Sequence, residues 1–362
     1  MLEFLMVGGA TPLLIPLLWL LKSVIGFDSA ELAVGFLMFH AAHLINDPHF
    51  SATYLLFYRD IRERAFGQTQ TSAQRVRYLI AAFLVPTLLA VWAAAALVEG
   101  SSRALGWMLQ LMFFLVGWHY VKQGFGVLSV LSARRGIAWT AQERQALLAH
   151  CIFGWLYARA SPSDPGMESE EKGVIYTSFG HPPGLEALTL GLFALSTARL
   201  GYVLLAKWRR ERRLPMVPLL GLLVSVWIWV VFSDIDPLLI YMIPALHSLQ
   251  YLYFVGLLTS NQARAEEQPP LFKRAARTRL SVFVLGSLAL GWALFHGLPD
   301  LLDTTLVSRH TAHSALGPTP YFAALFTFVN IHHYFMDSVI WRRDNPETRF
   351  LVNAEALRQD AH

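Results

Sequence analysis

The stretch FLMVGGATPLLIPLLWLL, residues 4–21, is the clearest indication of the fold class of this protein. It contains no charged residue, and a helix needs about 20 predominantly apolar residues to cross the hydrocarbon layer of a bilayer. The rest of the chain has the same character, because 55% of its 362 residues are hydrophobic and 15% are charged. That composition is too apolar for a water-soluble domain of this length, and it predicts a polytopic membrane protein.

A search for further apolar segments of this length predicts an all-α transmembrane bundle of about ten helices. We treat residues 1–362 as one integral-membrane domain, because the sequence has no internal repeat, low-complexity segment or long linker. The fifth predicted span is polar through its first half, so it also fits a shallow interfacial helix. The predicted spans are 4–22, 30–47, 78–98, 104–132, 142–159, 184–206, 216–234, 237–259, 280–298 and 319–341.

The loops between these spans alternate in charge. Arginine-rich segments such as KWRRERR at 207–213 follow the even-numbered spans, whereas the other loops are acidic or nearly neutral. Because short cytoplasmic loops collect Lys and Arg, this alternation predicts a multi-pass protein of the cytoplasmic (inner) membrane with both termini in the cytoplasm. The basic residues thus act as topology signals, and the net charge of +4 does not indicate nucleic-acid binding.

Histidines interrupt the apolar spans, first in FHAAHLINDPHF at residues 39–50. An ionisable residue inside a membrane is costly and is a candidate functional residue for that reason. Seven of the thirteen histidines lie in or directly after the second, fourth, eighth and tenth spans, which all run in the same direction. Their depths are therefore similar, and we expect them to converge. These seven are His40, His43, His49, His119, His247, His332 and His333.

The remaining histidines are interpreted as solvated or structural. HTAH at 310–313 lies in a polar predicted loop, and His296 lies where the ninth span reaches the outer surface. His150, on the doubtful fifth span, has no ionisable neighbour at helical spacing. We therefore expect none of them to contribute to the convergent group.

Two aspartates accompany the convergent histidines at helical spacing. His40, His43 and Asp47 stand at i, i+3 and i+7, which places them on one face of a continuous helix. NIHHYFMD at 330–337 repeats the same spacing and ends in Asp337. We expect these two carboxylates to have catalytic roles, either bridging metal ions or orienting an imidazole.

A metal site explains this set of residues better than hydrogen bonding between helices does. A neutral His can bridge two helices for about 0.6–2 kcal/mol, but one or two would suffice for that purpose. Imidazole is the commonest neutral metal ligand, and a divalent ion offsets the burial of several ligands together. The single cysteine, Cys151, excludes a cluster of thiolate ligands and an intramolecular disulfide. Iron, zinc and copper suit the remaining ligands, and their number favours a pair of ions, which we assign as iron.

At this point the pattern resembles the histidine boxes of integral-membrane desaturases and hydroxylases. The resemblance is carried by HAAH at 40–43, DPHF around His49, His247 and HHYFMD at 332–337. It implies a di-iron oxygenase that oxidises a lipid or isoprenoid chain from the bilayer and takes electrons from a separate donor protein. It also implies primary ligands at His40, His43, His247, His332 and His333, further ligands at His119 and His49, and supporting carboxylates at Asp47 and Asp337.

Three other interpretations of the same residues stay open. The chain is similar in size and number of spans to the bacterial membrane carotene-cleaving dioxygenases, a resemblance that implies a single iron and an aldehyde product. A transporter would use intramembrane His, Asp and Lys residues as a path for protons or metal ions. A haem protein would use paired histidines as axial ligands.

Polar residues next to the histidines are candidates for contacting substrate. Lys122 and Gln123 follow His119 by one helical turn, and Tyr251 follows His247 in the same way. Lys122 is a cation within a predicted span. It either snorkels to the cytoplasm, pairs with an aspartate, or holds a substrate carboxylate or phosphate.

Overall fold

Helices make up nearly all of the secondary structure, as the apolar composition predicts. The computed structural model describes residues 1–160, 166–178, 180–266, 272–307 and 316–351, so HTAH at 310–313 lies outside the described residues. Each of the ten predicted spans coincides with a helix for most of its length, although the second is interrupted. Within the described ranges, six helices are long and apolar enough to cross a membrane: Leu2–Ile25, Ser72–Val98, Ser102–Arg134, Leu185–Glu211, Pro237–Ala265 and Ala276–Leu306. The count of ten spans stays a prediction.

The described residues of the first half of the chain form seven helices and a short hairpin. The helices are α1 (Leu2–Ile25), α2 (Phe27–Ala42), α3 (Asn46–Tyr58), α4 (Ile61–Phe66), α5 (Ser72–Val98), α6 (Ser102–Arg134) and α7 (Ala141–Ala160). The hairpin contains the only β-strands among the described residues, with β1 (Glu168–Glu171) antiparallel to β2 (Val174–Thr177). It packs on the start of α6, where a Cβ added to Gly106 would lie 2.8 Å from the Cβ of Tyr176.

The second half of the chain is also helical. The helices are α8 (Leu185–Glu211), α9 (Met216–Val231), α10 (Pro237–Glu266), α11 (Phe272–Trp292), α12 (Leu298–Leu306) and α13 (Pro320–Ile340). A π-helical turn, Ala293–Gly297, joins α11 to α12. A 3-10 helix, Pro346–Leu351, ends the described part of the chain.

The second predicted span, 30–47, is two helices rather than one. α2 ends at Ala42, α3 begins at Asn46, and Ile45 between them has φ −122° and ψ −59°. Pro48 explains the break, because proline lacks an amide hydrogen and is tolerated in the first turn of a helix but not in its interior. The single-face interpretation of His40, His43 and Asp47 is therefore wrong.

Three of the π-helical turns bring a backbone carbonyl or a side chain to another helix. Such turns widen a helix locally and commonly occur at functional sites. In α1 the carbonyl of Val7 accepts a hydrogen bond from Gln250 Nε2 at 2.7 Å, and in α5 the carbonyl of Ala82 accepts one from Tyr58 at 3.1 Å. The turn after α11 carries His296.

The basic loops that were predicted to be cytoplasmic meet at one end of the bundle. The contacts between them join residues far apart in the chain: Arg134 to the carbonyl of Leu351, Arg135 to Glu3, Arg64 to Glu347, Arg77 to Asp344 and Arg213 to the carbonyl of Arg135. Lys22, at the end of the first predicted span, and Asp236, in a predicted outer loop, form an ion pair at 2.5 Å. The membrane orientation itself stays a prediction.

Glycines let two pairs of helices approach closely. A Cβ added to Gly291 of α11 would lie 2.8 Å from the carbonyl carbon of Asp47 in α3. One added to Gly124 of α6 would lie 2.8 Å from the Cβ of Ser225 in α9. The close contact at Gly291 fixes the first turn of α3, which carries both Asp47 and His49, against α11.

Candidate metal centre

Four histidines from four different helices meet in the interior of the bundle. They are His49 on α3, His119 on α6, His247 on α10 and His333 on α13, and we call them the four-histidine cluster. Ring nitrogens of His49, His119 and His333 all lie within 4.8 Å of one another, and His247 Nε2 lies 3.1 Å from His119 Nε2. None of the four residues is more than 6% exposed. The structure thus brings together imidazoles from four distant regions of the sequence.

Several nitrogens in this cluster have no hydrogen-bond partner. Among the described residues, none pairs with His49 Nε2, His247 Nδ1 or either ring nitrogen of His333, although all four atoms are buried. An unpaired buried polar atom costs about 1–3 kcal/mol, so several of them in one place need a physical explanation. A metal ion bound by one nitrogen of each ring would account for His49 Nε2 and for one nitrogen of His333, because neutral imidazole nitrogens are strong ligands.

The separation between His119 Nε2 and His247 Nε2 also fits shared coordination. Two nitrogens at about 2.1 Å from one ion and at right angles to each other are about 3.0 Å apart. The observed distance is 3.1 Å, which an N–H···N hydrogen bond would give as well. The unpaired nitrogens of the neighbouring imidazoles favour coordination.

A serine fixes the orientation of His49. Ser248 Oγ donates a hydrogen bond to Asn46 Oδ1 at 3.0 Å and lies 3.2 Å from His49 Nδ1. Because the serine proton is directed to Asn46, we assign the proton of His49 to Nδ1, which donates to the serine oxygen. The lone pair of His49 is then on Nε2, one of the nitrogens without a partner. Such a second contact is typical of metal-binding histidines.

Asp337 places a carboxylate beside the cluster. Its Oδ1 accepts hydrogen bonds from the Tyr251 hydroxyl at 2.8 Å and from Trp341 Nε1 at 3.2 Å. Its Oδ2 lies 3.5 Å from His333 Nε2 and 3.8 Å from His119 Nε2. One carboxylate oxygen is therefore held by the protein, while the other is available to a cation at the four-histidine cluster or to its ligands.

Aromatic side chains surround the imidazoles. Ring centroids lie 4.2 Å apart for Tyr120 and His247, 4.7 Å apart for Tyr334 and His119, and 4.8 Å apart for Phe50 and His333. These rings separate the cluster from water and lower the local dielectric constant, which strengthens the attraction between a cation and Asp337.

His332 and His40, both predicted ligands, lie outside the cluster. His332 Nε2 is 2.9 Å from the carbonyl of Ala81, to which it donates, and its Nδ1 is 2.9 Å from the Tyr54 hydroxyl. With both nitrogens paired, His332 is an interhelical bridge between α13, α3 and α5. His40 is exposed on α2, where its ring packs against Phe36 with centroids 4.4 Å apart.

The other two predicted residues, His43 and Asp47, lie in a separate group. Their partner is His296, which the sequence analysis set aside. Its approach to Asp47 depends on the break between α2 and α3 and on the π-helical turn after α11. The ninth span has no polar pattern that would have identified His296.

The predicted substrate-contacting residues lie near the cluster but differ in their contacts. Tyr251 is buried and bonds to Asp337 and to Thr53 Oγ1, the latter at 2.5 Å. Gln123 Nε2 donates to the carbonyl of His247 at 3.1 Å, so it ties α6 to α10 beside the metal ligands. Lys122 is half-buried and interacts electrostatically with Asp337, one of the aspartate partners that the sequence suggested.

Comparisons of this chain with models of protein families, with curated proteins and with solved structures find no match.

Proposed function

We propose that this protein is a membrane-embedded, non-haem metalloenzyme that uses O₂ to oxidise an apolar chain taken from the bilayer. The four-histidine cluster carries the proposal, because ring nitrogens of three buried imidazoles lie within 4.8 Å of one another inside a bundle of apolar helices, and several buried ring nitrogens there have no hydrogen-bond partner. We place the protein in the cytoplasmic membrane, with the end that carries the basic loops in the cytoplasm.

One iron ion suits this cluster better than the pair expected from the sequence. His49, His119, His247 and His333 would hold the ion, with Asp337 as an additional ligand or as a charge beside it. His40, His43 and His332, which were expected to be primary ligands of the pair of ions, lie elsewhere in the structure. Four imidazoles and one carboxylate fill at most five positions around a single ion.

A haem group is less compatible with this geometry. Ring centroids of His49 and His333 lie 4.4 Å apart, and those of His119 and His333 lie 5.0 Å apart. The imidazoles are therefore packed edge against face, and no planar slot for a macrocycle separates them. A small bare ion fits this arrangement.

The most economical reaction is oxidative cleavage of a double bond in an isoprenoid chain. One alkene and one O₂ give two carbonyl products, so both oxygen atoms are used and no electron donor is required. The sequence contains no flavin or dinucleotide-binding fingerprint, which agrees with a reaction that needs no reductase domain. Hydroxylation or desaturation would instead require two electrons from a partner protein.

The protein groups would contribute to this reaction in distinct ways. Bound iron would supply the redox chemistry that activates O₂. The four imidazoles would hold the ion without adding charge, while Asp337 would offset part of its positive charge. Tyr251 would keep the Asp337 carboxylate in position, and the aromatic shell would keep water away from reactive species.

Metal analysis of the purified, detergent-solubilised protein tests the proposal. We expect about one equivalent of iron per chain, no intense Soret band, and loss of the iron in His119→Ala. An iron-loaded sample should consume O₂ with a polyene substrate and place label from ¹⁸O₂ in both carbonyl products. The absence of any bound transition metal in the wild-type protein would contradict the proposal. Retention of the iron by the His119→Ala variant would contradict it as well.

A further inference from the structure

A second group of metal-ligating side chains lies outside the four-histidine cluster. His43 at the end of α2, Asp47 in the first turn of α3 and His296 in the π-helical turn after α11 each offer a ligand atom within 4.8 Å of the others. Two imidazoles and one carboxylate form a ligand set typical of divalent transition metals, with further positions left open. We propose that these three residues form a second, separate binding site for a divalent metal ion.

The distances within this group suit coordination to one ion. His296 Nε2 lies 2.9 Å from Asp47 Oδ2, close to the separation of about 3.0 Å between neighbouring ligands on one metal. His43 Nδ1 lies 3.2 Å from the carbonyl of Phe39, to which it can only donate. The lone pair of His43 is then on Nε2 and is free to bind a metal, with Nδ1 held as metal-binding histidines usually are.

Burial and charge also indicate a cation at this place. Asp47 is 3% exposed, and a buried carboxylate is stable only when an opposite charge or several hydrogen bonds compensate it. The rings of His43 and His296 are stacked nearly parallel, with centroids 4.1 Å apart and planes 13° apart. Two protonated imidazoles would repel each other in that stack, whereas two neutral ones can share a divalent ion next to the carboxylate.

The fold brings these three residues together through two local irregularities. The break at 43–45 turns His43 toward the start of α3, and the π-helical turn carries His296 toward the same point. Gly291 lets α11 approach the backbone of Asp47, since a Cβ there would lie 2.8 Å from the carbonyl carbon of Asp47. The site therefore lies where α2, α3 and α11 converge.

The two sites differ in accessibility. The side chain of His296 is 28% exposed, whereas that of His333 in the four-histidine cluster is fully buried. We therefore expect the second site to exchange metal with solution faster than the first. It would bind the ion in addition to the iron of the proposed enzyme.

Titration with Co²⁺ tests this inference on the full-length protein in detergent. Wild-type protein with its first site loaded should bind one equivalent of Co²⁺ with visible d–d absorption. His296→Gln can still donate a hydrogen bond to Asp47 but is a poor ligand, and it should weaken Co²⁺ binding at least about tenfold. The matched control is His40→Ala, which removes an exposed histidine of α2 outside the site and should leave the titration unchanged.

Failure of this inference is distinguishable from failure of the proposed function. The equivalent lost in His296→Gln should remain in His119→Ala, and the iron lost in His119→Ala should remain in His296→Gln. Wild-type protein that takes up no Co²⁺ beyond the first site, or His296→Gln that titrates like wild type, overturns the second site. Neither result affects the four-histidine cluster.

Discussion

The buried histidines of this protein occur in two kinds of surroundings. His150 and His332 have partners at both ring nitrogens: His150 lies 3.3 Å from Ser196 Oγ and accepts from Trp227 Nε1 at 3.1 Å, whereas His332 contacts Tyr54 and the carbonyl of Ala81. His333 is equally buried, but neither of its nitrogens has a hydrogen-bond partner among the described residues. Burial alone therefore does not distinguish these histidines, whereas the hydrogen bonding of their ring nitrogens does.

Helix geometry explains how adjacent residues come to differ so much. Successive side chains on a helix point about 100° apart, so His332 and His333 of α13 face different neighbours. His332 faces α3 and α5, where a hydroxyl and a carbonyl satisfy it. His333 faces the imidazoles of His49 and His119 and the carboxylate of Asp337. In the proposed function, a metal ion would supply the partner that this second environment lacks.

Separate replacement of His332 and His333 should give the largest difference between the two kinds of histidine. His333→Ala should reduce bound iron from one equivalent to less than about a tenth and abolish O₂ consumption, because the cluster loses one of its four imidazoles. His332→Ala should keep its iron. Metal analysis of both proteins, purified in parallel, is the measurement, and equal loss of iron in the two variants would show that the state of the ring nitrogens is not diagnostic.

Asp337 lies close to His119 and His333 and contributes a carboxylate to the surroundings of the four-histidine cluster. Asp337→Asn removes the negative charge but keeps the size, and it should lower iron affinity about 10–100-fold. Competition with a chelator measures the change. Asp344→Asn is the control, since Asp344 is exposed and pairs with Arg77 at the end of the bundle. Iron affinity unchanged by Asp337→Asn would mean that the carboxylate plays no part in metal binding.

The sequence predicts the helical class of the fold and several of the site residues, for identifiable reasons. Apolar segments of span length are visible in any window, and helices at similar depth carry His49, His119, His247 and His333. Spacing alone also indicated that Asp337 accompanies His333. These features depend on one-dimensional patterns, which the chain displays directly.

Other features depend on backbone irregularities that have weak signatures in the sequence. The break at 43–45 separates His40 from the residues beyond it, and the π-helical turn after α11 brings in His296. The carbonyl of Ala81 that pairs with His332 lies in a π-helical turn of α5. Of these, Pro48 was the only local signal, because it marks the start of a new helix.

Substitution of Gly291 tests how far the close packing of α11 on α3, the helix that carries Asp47 and His49, stabilises the protein. Gly291→Ala would place a methyl group 2.8 Å from the carbonyl carbon of Asp47, an overpacking that should cost about 1–3 kcal/mol in free energy of unfolding. Denaturant unfolding in detergent measures it. Gly286→Ala on the same helix is the control, because its nearest neighbour would be Leu55 Cδ1 at an ordinary 3.6 Å. Equal stability of the two variants would show that the contact at Gly291 relaxes freely.

We expect a small loss of stability when a histidine with hydrogen bonds at both ring nitrogens is replaced. His332→Phe removes two hydrogen bonds that link α13 to α3 and α5, and it leaves the Tyr54 hydroxyl and the Ala81 carbonyl without that partner. Interhelical hydrogen bonds in membrane proteins contribute about 0.6 kcal/mol each, so we expect a loss of about 1–2 kcal/mol in free energy of unfolding. Iron content should stay at the wild-type value, measured in the same samples. A residue that only bridges helices can affect metal binding only by destabilising the fold. Loss of iron from His332→Phe without loss of stability would therefore show that His332, and not only His333, takes part in metal binding.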